Sequence, residues 1–371
     1  MRLIAFYLPQ FHSIPENDKW WGEGFTEWVN VKNASPLFEG QNQPRIPLDN
    51  NYYNLLEDDV KIWQAQIAKK YGIYGFCYYH YWFDGHMLLE KPMEQMLHNP
   101  DVDIPFCICW ANENWTNAWV CEKADILISQ TYGDEKEWVR HYNYLSQFFK
   151  DKRYIKDNNK PLMVIYKPEL ISCMDEMIDC WQKLAKSEGY AGIDFAYQAA
   201  GMDFPEKKNN EKFKYDIEMQ PSYANILSEN KGRSFLKRNV SRLAKIFKIK
   251  DVNTKYRGLT GPKIVDYDKT WETILKTPPL SEKSVPCAFV DFDNTPRRKR
   301  QGWMFKGGSV KKFKYYFNKL VLKAEKQYNT DLMFIFAWNE WAEGGYLEPD
   351  TYNGYGYLEA INECIKEKKE I

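Results

Sequence analysis

Eight short apolar runs, separated by stretches with helical period, constrain the fold of this chain most. The runs are rich in β-branched and aromatic residues and occupy positions 3–7, 73–79, 104–110, 162–166, 193–197, 215–219, 287–292 and 332–338. Apolar residues recur at helical spacing in the stretches 56–71, 138–149, 173–184 and 313–324. Strands that alternate with helices pair in parallel through helical crossovers. The pattern predicts an α/β fold, a (β/α)8 TIM barrel with long loops at its C-terminal face.

The chain has 371 residues, which is longer than such a barrel needs. We expect a single barrel domain over 1–371, with spare length in a polar loop at 10–54 and in an insertion at about 228–270. The link 198–214 shows no convincing helix and is the weakest unit of the predicted barrel.

The insertion contains a basic amphipathic segment at 235–248, with the sequence FLKRNVSRLAKIFK. Its apolar residues share one helical face, and lysines and arginines crowd the other. Two interpretations stay open: a surface helix docked on the barrel, or a contact with an anionic membrane surface or a lipid-linked substrate.

Charge and targeting signals restrict the partners and the compartment. The 51 basic residues balance the 51 acidic ones, so we expect no nucleic-acid partner. The first residues lack the apolar core of a signal peptide, and most of the eight cysteines lie in apolar runs. We therefore expect a cytoplasmic protein, with the inner face of the membrane as an alternative through 235–248.

Polar side chains follow each of the eight apolar runs, where a barrel enzyme carries its reacting groups. The aromatic content is 16%, and aromatic residues cluster beside these polar ones, as sugar-binding walls require. Candidates to hold sugar hydroxyls are His12, His80, Asn112, Asn114, Asp291, Asp293, Asn294 and Asn339. Candidates to stack on sugar faces are Trp82, Trp110, Trp115, Trp119 and Trp341. A packing role for each tryptophan, and a core imidazole for His80, stay open as alternatives.

The segment 338–344, WNEWAEG, gives the strongest chemical signal. It places Glu340 and Glu343 three residues apart at the end of an apolar strand, between tryptophans, where each carboxyl perturbs the protonation of the other. Acid/base chemistry on a glycosidic bond needs one protonated carboxyl and one carboxylate. We predict that these two residues are catalytic; a structural role in capping and ion pairing is the alternative.

Four motifs resemble known carbohydrate-active families. The last segment resembles the signature of glycoside hydrolase family 99, the endo-α-mannosidases. The segments FYLPQFH (6–12), GFTEW (24–28), WANENW (110–115) and WNEWAEG (338–344) are more similar to the WbsX family, which is described as glycosyltransferases of bacterial surface-polysaccharide synthesis. The resemblance runs from near residue 1 to about residue 360.

The resemblance implies a barrel fold and metal-independent retaining chemistry. It also implies that Glu340 is the base acting on the 2-hydroxyl of the sugar and that Glu343 is the proton donor. The chain has Ala342 where the hydrolases commonly carry histidine, so neither mannose specificity nor the 2-hydroxyl route follows from the signature alone.

Asp291 and Asp293 form an Asp-x-Asp pattern, which in some transferases holds a metal bound to a sugar nucleotide. The favoured interpretation is that they bind hydroxyls or order the loop with Asn294 and Arg297. No dinucleotide-binding glycine motif follows a strand. We therefore expect no metal and no other cofactor.

Three functions remain open on the sequence. The preferred one is glycosyl transfer in the synthesis of a bacterial O-antigen or capsule, on an oligosaccharide or polysaccharide, lipid-linked or free. The second is a retaining, endo-acting glycoside hydrolase of the endo-α-mannosidase type. The third, a non-catalytic carbohydrate-binding barrel, has no evident use for two desolvated carboxyls.

Overall fold

Eight parallel strands close into a barrel in the computed structural model, which describes residues 1–117, 125–200, 210–232 and 261–366. The barrel strands are β1 (Arg2–Tyr7), β2 (Gly75–Phe83), β3 (Phe106–Trp110), β4 (Lys160–Ile165), β5 (Asp194–Gln198), β6 (Tyr215–Ile217), β7 (Ser284–Val285 and Cys287–Phe289) and β8 (Leu332–Phe336). Each predicted strand segment falls on one of them, so the predicted barrel is confirmed.

The seventh strand closes the barrel in two pieces. Ser284–Val285 pairs with β6, and Cys287–Phe289 pairs with β8. Pro286 separates the pieces because a proline nitrogen has no hydrogen to donate to a neighbouring strand. Its carbonyl still accepts a hydrogen bond from the backbone of Phe334 at 2.9 Å, so the sheet continues across the break.

Helices follow most of the strands, and long stretches of the loops at the C-terminal face form short helices of their own. The helices are α1 (Pro15–Trp21), α2 (Glu27–Lys32), α3 (Asp58–Lys70), α4 (Lys91–His98), α5 (Glu135–Phe149), α6 (Met174–Ser187), α7 (Ser222–Gly232), α8 (Tyr267–Lys276), α9 (Thr295–Arg298), α10 (Val310–Gln327) and α11 (Gly356–Lys366). The four predicted helical stretches correspond to α3, α5, α6 and α10. Within the described residues, no helix has both the length and the apolar character needed to cross a bilayer.

Short strands and 3-10 turns complete the loops. The short strands are His86–Leu88, Trp115–Thr116, Ile126–Ile128, Lys156–Asp157, Lys263–Asp266, Trp303–Lys306, Asn339–Glu340 and Gly345–Tyr346. The 3-10 turns are Leu48–Asn50, Pro168–Leu170, Asn210–Lys212, Lys299–Gln301 and Trp341–Glu343.

Much of the aromatic content fills the layer between the barrel and its helices. The indole of Trp271 in α8 is fully buried, lies parallel to the ring of Tyr316 in α10 and stacks on Phe289 of β7 with ring centroids 5.1 Å apart. Trp181 in α6 is equally buried. Burial of such large apolar surfaces stabilises the helical layer, so the high aromatic content is largely a property of the core.

The predicted insertion is described only at its ends. Its first turns belong to α7, and Lys263–Asp266 pairs in parallel with Trp303–Lys306 beside the barrel. The amphipathic segment 235–248 lies outside the described residues. The weak link between β5 and β6 contains the 3-10 turn Asn210–Lys212 in its described part.

Two buried asparagines connect the ends of neighbouring strands. Asn112, after β3, accepts a hydrogen bond from the backbone nitrogen of Lys167 at 2.8 Å and donates to its carbonyl at 2.7 Å. Asn339, after β8, makes the same pair of bonds with the backbone of Leu8 at 2.8 and 3.0 Å. Strand ends that have left the sheet ladder are thereby held in register at the C-terminal face.

We expect Asn112→Ala to lower the free energy of unfolding by about 2–4 kcal/mol, because the backbone nitrogen and carbonyl of Lys167 would each lose a buried partner. Chemical denaturation monitored by tryptophan fluorescence measures this loss. Asn114→Ala, two residues away and exposed, is the matched control and should cost less than about 1 kcal/mol. Equal losses in the two variants would contradict the bridging role.

Candidate active site

The segment after β8 turns sharply at the C-terminal face of the barrel. Asn339–Glu340 pairs antiparallel with Gly345–Tyr346, and the 3-10 turn Trp341–Glu343 connects the two strands. Gly344 closes the turn in the left-handed conformation, φ 67°, and a Cβ there would lie 2.9 Å from the backbone nitrogen of Asp293. That nitrogen donates to the carbonyl of Glu343 at 2.7 Å, so the turn is fixed to the loop after β7.

Glu340 and Glu343 share a single guanidinium. Nη1 of Arg297, from α9, lies 2.6 Å from Oε1 of Glu343, and its Nη2 lies 3.5 Å from Oε2 of Glu340. The same arginine contacts a third carboxylate, because its Nε lies 3.1 Å from Oε2 of the fully buried Glu27. One cation from the loop after β7 therefore faces three acidic groups brought from the loops after β1 and β8.

Glu27 reaches this position through the loop after β1. Its backbone nitrogen donates to the carbonyl of Gln10 at 3.1 Å, and the Thr26 side chain caps α2 by accepting from the nitrogen of Trp28. The Trp28 indole packs on Trp341 with ring centroids 5.5 Å apart. The GFTEW and WNEWAEG motifs, distant in sequence, are thus in direct contact.

The two candidate catalytic carboxyls have different surroundings. Glu340 is nearly buried, whereas 25% of the Glu343 side chain is exposed to solvent. Burial raises the pKa of Glu340 to about 8, and the charge of Glu343 adds to the rise, while Arg297 opposes it. The pair therefore retains one proton at neutral pH, and burial favours Glu340 as its holder.

A cavity of about 430 Å³ opens above this pair, and all eight strand ends contribute to it. One wall of the cavity is formed by β2. This strand continues to Phe83, and because side chains alternate along a strand, Tyr79 and Tyr81 both point towards the cavity. The other polar and aromatic lining side chains include Gln10, Glu113, Asn114, Trp115, Tyr166, Gln198, Gln220, Ser222, Asn294, Arg297 and Arg298. Amides, hydroxyls and flat rings of this kind suit sugar recognition.

Five of the predicted site residues lie together in this cavity. They are Glu340, Glu343, Asn114, Trp115 and Asn294. The side chain of Asn294 also accepts from the backbone nitrogen of Trp303 at 2.9 Å, and that of Asn114 accepts from the nitrogen of Gln130 at 2.6 Å. Their catalytic and substrate-binding roles remain predictions.

His80, Trp82 and Trp110 face the helical layer instead of the cavity. Nε2 of His80 lies 3.0 Å from Nε2 of His141 in α5, and burial lowers the pKa of His80 to about 3. Trp82 stacks on His141 at 4.4 Å and donates to Glu137 at 2.6 Å. Trp110 packs edge-on against the same His141 ring. The three residues belong to one buried aromatic cluster around α5.

Four further predicted residues are buried beside the site and do not line the cavity. Asn112 and Asn339 bridge strand ends, as described above. His12 is 1% exposed, and burial lowers its pKa to about 4. Trp341 stacks on Tyr346 at 3.8 Å and donates to Glu348 at 2.6 Å. Trp119 lies outside the described residues.

Glu348 is a buried carboxyl that is hydrogen-bonded to the turn Trp341–Glu343. It accepts hydrogen bonds from Trp341, from Gln64 at 2.7 Å and from the hydroxyl of Tyr53 at 2.8 Å. Burial raises the pKa of Glu348 to about 7, and the three donors oppose that rise.

The Asp-x-Asp pattern is engaged by protein donors. Asp291 forms an ion pair with Arg45 at 2.7 Å. Asp293 accepts from the side chains of Gln41 and Gln43 at 2.9 and 3.0 Å, and from Thr295. Neither carboxylate lines the cavity. Across the described residues, no group of three or more histidine, cysteine, aspartate or glutamate side chains is arranged to hold a metal ion.

Several residues in or beside the cavity did not enter the predicted site. Arg297 was expected only to order its loop, and Glu27 was visible only as a letter of the GFTEW motif. Gln10, Gln198 and Gln220 follow predicted strands, and this position at a strand end was the signal that could have selected them. The tyrosines of β2 required the correct strand end at Phe83.

Comparison with known proteins gives a family and a fold. The glycosyltransferase WbsX family matches residues 3–361. WxcX from two strains of Xanthomonas campestris pv. campestris is 32% identical across 100% of this chain and 50% of the relative. The chain thus spans about half the length of the curated relatives it matches.

Solved structures share the barrel at low sequence identity. A GH99 endo-α-mannosidase from Bacteroides thetaiotaomicron aligns over 100% of this chain and 97% of its own, with 12% identity and a TM-score of 0.55. A glycoside hydrolase-like protein aligns over 98% and 93%, with 13% identity and a TM-score of 0.57. With the family match over nearly its whole length, the chain belongs to the glycosyltransferase WbsX family of carbohydrate-active enzymes.

Proposed function

We propose that this chain transfers a glycosyl group in the synthesis of a bacterial O-antigen or capsule, with Glu340 and Glu343 as its acid/base pair. The proposal rests on the floor of the cavity, which we define as Arg297, Glu340 and Glu343. There the arginine contacts both carboxyls, beside lining amides and aromatic rings. The substrate class is an oligosaccharide or polysaccharide. Seven described cysteines are free thiols, the state kept by a reducing compartment, which supports a cytoplasmic location.

The proton held by the carboxyl pair is central to the proposed chemistry. Without substrate, Glu343 contacts Arg297 at 2.6 Å, and burial favours the protonated form of Glu340. The family resemblance assigns Glu343 as proton donor and Glu340 as base. These roles require the proton to pass from Glu340 to Glu343 when a sugar enters, as its hydroxyls compete for Arg297.

Hydrolysis is the second candidate and uses the same pair. The partly exposed Glu343 is accessible to a water molecule, which would then replace the sugar acceptor. The two functions differ in the acceptor, which is a sugar in transfer and water in hydrolysis. Both use the same carboxyl pair and Arg297.

Glu343→Gln and Glu340→Gln should each lower kcat/KM by about 10²- to 10⁴-fold, because each removes an acid/base group at nearly constant volume. Turnover on a panel of glycosides and acceptors measures the loss, and circular dichroism checks the fold. Glu363→Gln, an exposed residue of α11, is the matched control and should keep full activity. Wild-type activity in both site variants would exclude the assignment; unchanged glycan affinity without turnover in the wild type would indicate a binding protein.

The pH dependence should report the shared proton. Activity requires one proton on the pair, so we expect kcat/KM to fall as pH rises through about 8, where Glu340 loses it. The negative charge of Glu27 raises the pKa of Glu340 and Arg297 lowers it. Glu27→Gln should therefore move this limb to lower pH, and Arg297→Gln to higher pH.

Arg297→Lys keeps the charge and should move the limb least. Titration of 13C-labelled glutamate carboxyls by NMR, with Glu340→Gln to assign the signal, measures the same shifts without turnover. Shifts of the same sign in Glu27→Gln and Arg297→Gln would contradict this electrostatic account.

Chelation distinguishes acid/base catalysis by the carboxyl pair from activation of a sugar nucleotide by a bound metal ion. We expect transfer to be unchanged by EDTA, because the carboxylates of Asp291 and Asp293 are engaged by Arg45, Gln41, Gln43 and Thr295. The assay follows consumption of aryl glycosides and sugar nucleotides, and identifies the product as a transferred or a hydrolysed sugar. Metal-dependent consumption of a sugar nucleotide would move the reaction centre to the two aspartates.

A further inference from the structure

Arg298 differs in its ionic contacts from the other charged residues that line the cavity. The charged lining residues are Glu113, Arg297, Arg298, Glu340 and Glu343. Arg297 contacts three carboxylates, and Glu113 forms an ion pair with Lys167. Among the described residues, Arg298 has no carboxylate within ion-pair distance, and it is exposed to solvent.

Arg298 lines the cavity and is exposed, so it lies at the rim, and two further exposed cations, Lys299 and Arg300, follow it in the chain. Two hydrogen bonds between Asn294 and Trp303 close the base of the loop that carries these cations. The side-chain oxygen of Asn294 accepts from the backbone nitrogen of Trp303, and the backbone nitrogen of Asn294 donates to the carbonyl of Trp303 at 3.2 Å. Gly302 passes so close to Asn294 that a Cβ would lie 2.8 Å from its side-chain oxygen. The cations are therefore held on a fixed loop beside the cavity.

The cavity consequently has two electrostatic ends. At the floor, three acidic groups surround one arginine, so negative charge remains even when Glu340 is protonated. At the rim, Arg298 is positive, and the two exposed cations that follow it in the chain add to the positive charge of this loop. A neutral sugar fits the floor, and an anionic group attached to that sugar would be repelled from the floor and attracted to the rim.

We propose that Arg298 is the centre of an oxyanion-binding subsite, which recognises a phosphate or carboxylate group on the substrate while a neutral sugar occupies the floor. A guanidinium presents a planar pair of donors that matches either group. This inference rests on the proposed function, because it assumes that the cavity binds a glycan. It adds that the substrate is anionic, through a phosphate-bearing carrier or an acidic sugar.

Binding of three probes tests the subsite without turnover. The probes are inorganic pyrophosphate, trigalacturonate and the neutral trisaccharide mannotriose, each titrated calorimetrically at low ionic strength into the wild type, Arg298→Gln and Lys326→Gln. Lys326 is an exposed residue near the end of α10 and does not line the cavity, so its variant has the same loss of charge elsewhere. We expect Arg298→Gln to weaken binding of an anionic probe by about tenfold or more, and Lys326→Gln to change it less than twofold.

Each outcome has a defined meaning. Arg298-dependent binding of pyrophosphate supports a phosphate-bearing substrate, and Arg298-dependent binding of trigalacturonate supports an acidic glycan. Equal affinity in the wild type and Arg298→Gln, or anions that bind no better than mannotriose, would overturn the proposal. Since the calorimetric readout is binding and not turnover, a failure of Glu343→Gln to lose activity would count against the proposed function alone.

Discussion

The guanidinium of Arg297 lies among three carboxylates, and the arrangement of the C-terminal face depends on it. A charge removed from water is costly unless it is paired and hydrogen-bonded. Glu27 follows β1, Arg297 follows β7, and Glu340 and Glu343 follow β8, so these three loops must converge on one point for the charges to be satisfied. The Trp28–Trp341 contact and the bond from the nitrogen of Asp293 to the carbonyl of Glu343 hold the loops there.

Features that repeat along the sequence were predictable, and features formed by tertiary contact were not. Most strands of the barrel are buried on both faces, so they appear as largely apolar runs that can be recognised locally. Glu340 and Glu343 could also be selected, because their spacing and their place at a strand end are local. The pairing of Glu27 with Arg297 joins residues 270 positions apart, and no local pattern contains it.

The second strand shows how a boundary error changes the interpretation of a side chain. The sequence ended this strand at residue 79, which made His80 and Trp82 loop residues near a site. The strand continues to Phe83, so alternation directs Tyr79 and Tyr81 to the cavity while His80 and Trp82 pack against α5. The aromatic content was ambiguous for a related reason, since composition does not distinguish a ring that packs beneath a helix, such as Trp271, from one that lines a cavity, such as Trp115.

The division between floor and rim explains why the carboxyl pair leaves the choice between transfer and hydrolysis open. If the pair acts as proposed, both reactions would need one proton on it, delivered to a leaving oxygen and recovered from an acceptor hydroxyl, whether that acceptor is a sugar or water. The floor sets the position of this proton through burial of Glu340 and the contacts of Arg297. We expect the acceptor to be selected by the cavity wall outside the floor, which includes Trp115, Gln220 and Arg298 and where water is excluded or admitted. Substitutions in that wall should therefore alter the ratio of transferred to hydrolysed product, while substitutions in the floor change the rate of both.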